Sequence, residues 1–223
     1  MPFTSKQGLS GNALKLIAIL SMTLDHIGRY LFPQFHFLRV LGRLALPIFA
    51  YMIAEGCRYT RNPKKYLLTI LAVAILCQSA FFLATGSLYQ CILVTFTLSI
   101  LLIQSLDRSP LGVALVWLGV IFFCVGLPML PHTDFAVDYG FWGVLLPVII
   151  YLGRDPRERL LLTAGGLVLL ALSFSGLTQW FSLLALPLLA LYNGRRGKWR
   201  MKYFFYVYYP LHLTVIYGIR LLL

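Results

Sequence analysis

Long apolar runs separated by short polar breaks recur along the whole chain, and most approach the roughly 20 residues an α-helix needs to cross a bilayer. Measured against that length, the pattern predicts nine spans, near residues 13–32, 37–55, 65–84, 88–106, 111–130, 139–153, 158–173, 175–192 and 203–222. The sixth and seventh runs are short, and Gly165 and Gly166 interrupt LLTAGGLVLLALSFSGL, so eight or ten spans also fit the pattern. The strict alternation of a membrane barrel is absent. The expected architecture is therefore all-α, a polytopic transmembrane helical bundle forming a single integral-membrane domain over residues 1–223. The first run is long and no small-residue cleavage pattern follows it, so it is expected to be retained rather than removed as a signal.

Composition supports this reading, because 60% of the residues are hydrophobic and only 12% are charged. The formal net charge of +12 would point to nucleic acid in a soluble protein, but the cations are distributed by side. On the nine-span arrangement Lys6, Lys15, Arg58, Arg61, Lys64, Lys65, Arg108, Arg154, Arg157, Arg159, Arg195, Arg196, Lys198, Arg200 and Lys202 fall on one side. Only Arg29, Arg39, Arg43 and Arg220 fall toward the other. The positive-inside rule then places the amino terminus in the cytoplasm and the carboxyl terminus outside, and no nucleic-acid partner is expected. The stretches RYTRNPKK and RRGKWRMK read first as topology signals and contacts to anionic membrane lipids. Their sharper reading is a cytoplasmic landing surface for a phosphorylated cofactor.

Cys57, Cys77, Cys91 and Cys124 are scattered among apolar neighbours and read as packing residues, without redox or metal-ligand spacing. His26, His36, His132 and His212 form no recognisable ligand cluster, so no metal is expected.

Candidate chemistry lies inside the apolar runs, where an ionised side chain costs at least about 2.5–3.5 kcal/mol and needs a reason to persist. Asp25 and His26 sit side by side in LKLIAILSMTLDHIGRYLF. Lys15 lies eleven positions before His26, close to three helical turns or about 16 Å, so the two share a face. A cation near the lipid surface and an imidazole deeper in the bilayer suit an anionic cofactor at one end and proton handling at the other. The blander account has Lys15 snorkelling and His26 satisfying a neighbour. The second span runs back and brings Arg43 to the depth of Asp25, which predicts that the two pair. Near the end of the same span lies Glu55, whose blander reading is an ion pair with Arg58 or solvation of the helix end. His212 follows Pro210 in the last span, where a proline is tolerated if polar groups or a cavity compensate. The tyrosines around it read as an interfacial aromatic belt. Asp138, before the sixth span, reads as a helix cap.

The segments LKLIAILSMTLDHIGRYLFP, LRVLGRLALPIFAYMIAEGCRYTRNPKKYLL, DYGFWGVLLP, YNGRRG and KYFFYVYYPLHL resemble the TraX family, membrane proteins associated with N-acetylation of conjugative pilin. That family is in turn similar to the transmembrane acyltransferase-3 proteins, whose first helix carries an Arg or Lys and, with ten residues intervening, a His; Lys15 and His26 match that spacing. The resemblance implies a multi-pass protein of the bacterial inner membrane that takes an acetyl or short acyl group from cytoplasmic acetyl-CoA or another acyl-CoA. The acceptor would be a protein, a glycan or a small molecule. His26, Asp25, Arg43, His212 and Glu55 would form the catalytic group. Lys15, Arg58, Arg61, Lys64, Lys65, Arg195 and Arg196 would meet the CoA phosphates. The competing expectation is a proton-coupled transporter or a non-catalytic assembly component, in which the same buried groups line a pathway.

Overall fold

The computed structural model describes residues 8–198 and 201–222, apart from the side chains at 202, 203 and 206. Lys6, Arg200 and the side chain of Lys202 therefore lie outside the described residues. The helices are α1 (Gly11–Tyr30), α2 (His36–Gly42), α3 (Ala45–Tyr59), α4 (Pro63–Thr85), α5 (Ile92–Ser105), α6 (Pro110–Ile121), α7 (Gly140–Leu152), α8 (Pro156–Leu172), α9 (Ala185–Ala190) and α10 (Lys202–Leu222). A π-helical turn, Phe122–Gly126, and a 3-10 turn, Leu127–Met129, prolong α6, and a 3-10 segment, Leu177–Leu184, leads into α9. The fold is all-α: the described residues contain no strand, only the isolated bridges Leu9–Tyr192 and Gln90–Val137. Three helical stretches, His36–Tyr59, Pro63–Thr85 and Pro110–Met129, are long and apolar enough to cross a membrane. Ile92–Ser105, Gly140–Leu152 and Leu177–Ala190 are apolar but shorter.

Local sequence explains where the helices begin. Three starts share a polar cap followed at once by proline, which has no N–H to leave unsatisfied and a backbone angle already suited to the first turn. The Asn62 side chain accepts from the Lys65 amide at 2.9 Å, and Ser109 accepts from Gly112 at 3.3 Å. Asp155 accepts from both Arg157 at 2.8 Å and Glu158 at 3.0 Å.

Several apolar runs differ from the expected single helices. The run at 37–55 breaks at Arg43–Leu44, because Pro47 cannot donate to the Arg43 carbonyl four residues back. Pro47 falls instead in the first turn of α3, where its missing N–H is harmless. The run at 88–106 becomes helical only at Ile92, since Leu88–Gln90 pairs with the loop before α7: the Leu88 amide donates to Asp134 at 3.0 Å and the Gln90 amide to the Ala136 carbonyl at 2.7 Å. Asp138 is not the cap of α7. That position is held by Tyr139 in a left-handed conformation, while the Asp138 carboxylate accepts from the Tyr89 hydroxyl at 2.7 Å.

Packing divides the chain into two compact units, Met1–Met52 with Asp155–Leu223, and Ile53–Arg154. In the first, α1 packs against α2 and α10, and both α2 and α8 pack on the 3-10 segment. Glycine makes the α1–α2 approach possible: a methyl group at Gly28 would meet Leu38 Cβ at 2.8 Å, and one at Gly42 would lie 2.8 Å from the Asp25 Cα. The first amides of α1 are satisfied by the loop before α10, Gly11 donating to the Arg195 carbonyl at 2.8 Å and Asn12 to that of Arg196 at 3.0 Å. In the second unit α5 is central, packed by α4, α6 and α7 around Leu102, Ile103, Val120, Val144 and Val148.

Candidate functional site

Helix α1 presents Lys15, Thr23, His26 and Tyr30 along the side that meets α10. Lys15 Nζ lies 5.5 Å from the centre of the Phe205 ring, and the Thr23 hydroxyl lies 2.8 Å from that of Tyr208. Farther along, His26 meets His212, and the Tyr30 and Tyr217 rings are 4.8 Å apart. Partners ascend together on both helices, so α1 and α10 run in the same direction.

The histidine pair has a proton order set by its neighbours. His212 Nδ1 is 3.1 Å from the Tyr208 carbonyl, which only accepts, so that nitrogen carries the proton. In the neutral ring Nε2 is then the acceptor, and it lies 3.1 Å from His26 Nδ1. His26 therefore carries its proton on Nδ1, with the Met22 carbonyl one turn back as a second acceptor for the ring, and keeps its lone pair on Nε2. Other groups fix the rings. Tyr208 stacks on His212 with ring centres 5.3 Å apart, and Tyr209 meets it edge-on at 5.5 Å. Thr23 donates to the Ile19 carbonyl at 2.9 Å, so the Tyr208 hydroxyl donates to Thr23. His212 is buried and His26 half-buried, leaving the unprotonated edge of the pair on the more open ring.

One position before His26, Asp25 is held by two arginines of α2 and the break after it. It pairs with Arg43, as expected from their shared depth, and also with Arg39 at 3.5 Å. Arg43 further donates through Nε to the Arg39 carbonyl at 3.3 Å and through Nη1 to Gln179 Oε1 at 3.2 Å. Buried charge is thereby both neutralised and hydrogen-bonded. The Gln179 Nε2 and Ser182 Oγ atoms nearby are buried without a hydrogen-bond partner among the described residues.

The remaining candidate residues are distributed between the units. Lys15 lies near the α1 start, close enough to Arg196 for the two charges to interact, and Arg195 and Arg196 expose their side chains on the loop docked there. Glu55 is buried in the second unit. Arg58, also in that unit, donates to the Tyr151 carbonyl and, at 2.7 Å, to that of Gly153, closing the end of α7, and its guanidinium lies 5.1 Å from the Tyr151 ring centre. Arg61, Lys64 and Lys65 are exposed around the start of α4. Among the described residues no three His, Cys, Asp or Glu side chains gather as a metal site would require.

Thr23, Tyr208, Arg39 and Gln179 were not singled out by the sequence pattern. Thr23 stands three residues before His26 and Tyr208 four before His212, spacings that put each on its histidine's face. Gln179 carried no such signal, since its 3-10 segment read as part of a plain apolar run.

The TraX protein family matches residues 10–220 of the chain. A probable fimbrial assembly protein, FimC of serogroup H1, from Dichelobacter nodosus is 28% identical over an alignment of 253 residues that covers 94% of this chain and 95% of that protein. An uncharacterized protein of Rickettsia prowazekii (strain Madrid E) is 41% identical over 51 residues, 23% of this chain and 20% of that protein. No solved structure matches the chain.

Proposed function

The chain belongs to the TraX family, and from that premise we propose that it is a transmembrane acyltransferase, moving an acetyl or short acyl group from cytoplasmic acyl-CoA to an amine or hydroxyl. The observation that carries this reading is the His26–His212 pair, whose order of protons leaves the His26 Nε2 lone pair free. That nitrogen removes the proton from the acceptor's N–H or O–H as the acceptor attacks the thioester carbonyl. The developing imidazolium is stabilised because its Nδ1–H already points at His212 Nε2. When the tetrahedral intermediate collapses, the C–S bond breaks and the departing CoA thiolate takes the proton back from His26, giving the amide or ester and free CoA. Asp25, Arg39 and Arg43 fix the helix beside the base.

Lys15 with Arg195 and Arg196 gives a basic cluster at the start of α1 that suits CoA phosphates. Arg61, Lys64 and Lys65 add exposed cations at the start of α4. These cations belong to the cytoplasmic side of a nine-span protein of the bacterial inner membrane with its amino terminus inside. The shared direction of α1 and α10 supports an odd number of spans. The fimbrial assembly name of the Dichelobacter relative favours a protein acceptor such as a pilin amino terminus over an envelope glycan or small metabolite. Transfer of label from acetyl-CoA in membranes bearing the protein, run beside CoA binding, tests the reading. The His26→Ala protein should bind CoA and transfer nothing; a wild-type protein that ignores CoA and instead moves protons is a transporter.

A further inference from the structure

Two arginines converge on one aromatic ring a helical turn beyond the proposed base. The Tyr30 ring stacks on that of His26, centre to centre 6.1 Å and nearly parallel. The Arg29 guanidinium carbon lies 5.5 Å from the centre of the same ring and that of Arg220 lies 5.8 Å away. Tyr217, hydrogen-bonded to Tyr30, closes the cluster from α10. Among the described residues neither arginine has a carboxylate partner, in contrast to Arg39 and Arg43, which share Asp25. Attraction to a ring positions a guanidinium without neutralising it. Both charges also act on the Tyr217 hydroxyl, so the two exposed arginines belong to one aromatic cluster, and each offers a planar fork that fits a carboxylate or phosphate.

We propose that Arg29 and Arg220, placed by Tyr30 and Tyr217, form an oxyanion site for the acyl acceptor: a carboxylate or phosphate carried by the acceptor docks there, about one helical turn from its own amine or hydroxyl at His26. The proposal rests on the acyltransferase reading and assigns that reaction an anionic acceptor. The site lies toward the end of α1 opposite Lys15, so donor and acceptor approach His26 from opposite ends of the same helix face.

The full-length protein in phosphatidylcholine nanodiscs is assayed with acetyl-CoA and two amines of equal length, 6-aminohexanoate and 6-aminohexanamide. The wild type should prefer the carboxylate by about tenfold in kcat/KM, the effect of one charge-assisted hydrogen-bond pair. Arg29→Gln/Arg220→Gln should bring that ratio close to one, and Arg29→Lys/Arg220→Lys, which keeps charge without the fork, should fall between. Equal use of both amines by the wild type, or a preference that survives the glutamine pair, overturns the proposal. A wild type that acetylates neither amine removes support from the acyltransferase reading, and the site is then read by thermal unfolding with inorganic phosphate. A phosphate-dependent rise in Tm that the glutamine pair abolishes retains the oxyanion site, and no rise overturns it. A third arm replaces part of the phosphatidylcholine with phosphatidylglycerol. An arginine-dependent rise in Tm seen there alone assigns the cluster to lipid headgroups and overturns its role toward the acceptor.

Discussion

His26 and His212 are 186 positions apart in the sequence, yet Nδ1 of the first lies 3.1 Å from Nε2 of the second. The contact makes the last helix a determinant of which nitrogen of the first helix is basic. A proton-relay role for His212 and a positioning role differ in what a substitution does.

His212→Gln retains an oxygen able to accept from His26 Nδ1, whereas His212→Leu does not. Acyl transfer should fall about 3–10-fold more in the leucine protein than in the glutamine protein, the worth of one hydrogen bond. His26→Ala should cost the full general-base contribution, about 10²–10⁴-fold. Single-turnover transfer from labelled acetyl-CoA measures all three, and equal loss in both His212 variants would assign His212 a proton of its own to move.

The Asp25–Arg43 pair is largely withdrawn from solvent, the two side chains being 15% and 10% exposed. Removing Asp25 strands the Arg43 charge, at a cost of about 3–5 kcal/mol, whereas removing Arg43 leaves Asp25 with Arg39 alone at 3.5 Å. Asp25→Leu and Arg43→Met should each lower the yield of monodisperse protein in detergent chromatography. The double variant should recover most of that yield, because the one ion then left without its carboxylate, Arg39, has 28% of its side chain exposed to be solvated; a double variant as poor as the worse single one contradicts the coupling.

Glycine tests helix packing with opposite signs at two positions. Gly42→Ala drives a methyl group against the backbone of Asp25 and should lower stability by about 1–3 kcal/mol. Gly165→Ala in α8 meets nothing within 4 Å and gains up to about 1 kcal/mol of helix propensity. Thermal unfolding of the two proteins should move Tm in opposite directions.

The sequence made the Asp25–Arg43 contact legible because two charges at one membrane depth have few ways to be satisfied. It made the shared face of Lys15 and His26 legible through helical periodicity alone. Tyr208 was read as interfacial belt, since a tyrosine among tyrosines looks the same whether it faces lipid or a histidine. Gln179 was hidden for another reason: its partner Arg43 is 136 positions away, and the 3-10 winding that turns it inward follows from packing rather than local propensity. The break at Arg43–Leu44 follows from Pro47, yet hydropathy is continuous across it and gives no sign of it.

Acid should loosen the loop before α7. The Ser87 hydroxyl, at 2.6 Å, and the Leu88 amide both donate to the exposed Asp134 carboxylate and hold it below the usual carboxylate range. A depressed folded value means that this stabilisation is complete above the ordinary aspartate value of about 3.9 and is lost as pH falls through the folded one. Hydrogen exchange at Leu88, corrected for its intrinsic rate, should accelerate on acidification in the wild type. In Asp134→Ala, which keeps no acceptor, it should be fast and independent of pH.

Orientation is tested by reporters at two loops. A fusion at Asp155, among Arg154, Arg157 and Arg159, should report a cytoplasmic location, and one at His132 an external location. Reversal of both would move the basic clusters away from cytoplasmic CoA.

Because Ile53–Arg154 is inserted between the two stretches that form the other unit, the site cannot mature in the order in which it is synthesised. Asp25 meets its arginines as soon as the first hairpin has emerged, so the costly charge on α1 is neutralised early. His26 waits for α10, which is synthesised only after the whole inserted unit. A chain whose α10 has not yet docked thus holds its ions already paired while His26 still lacks the ring that sets its tautomer, and the proposed transfer would wait for that docking.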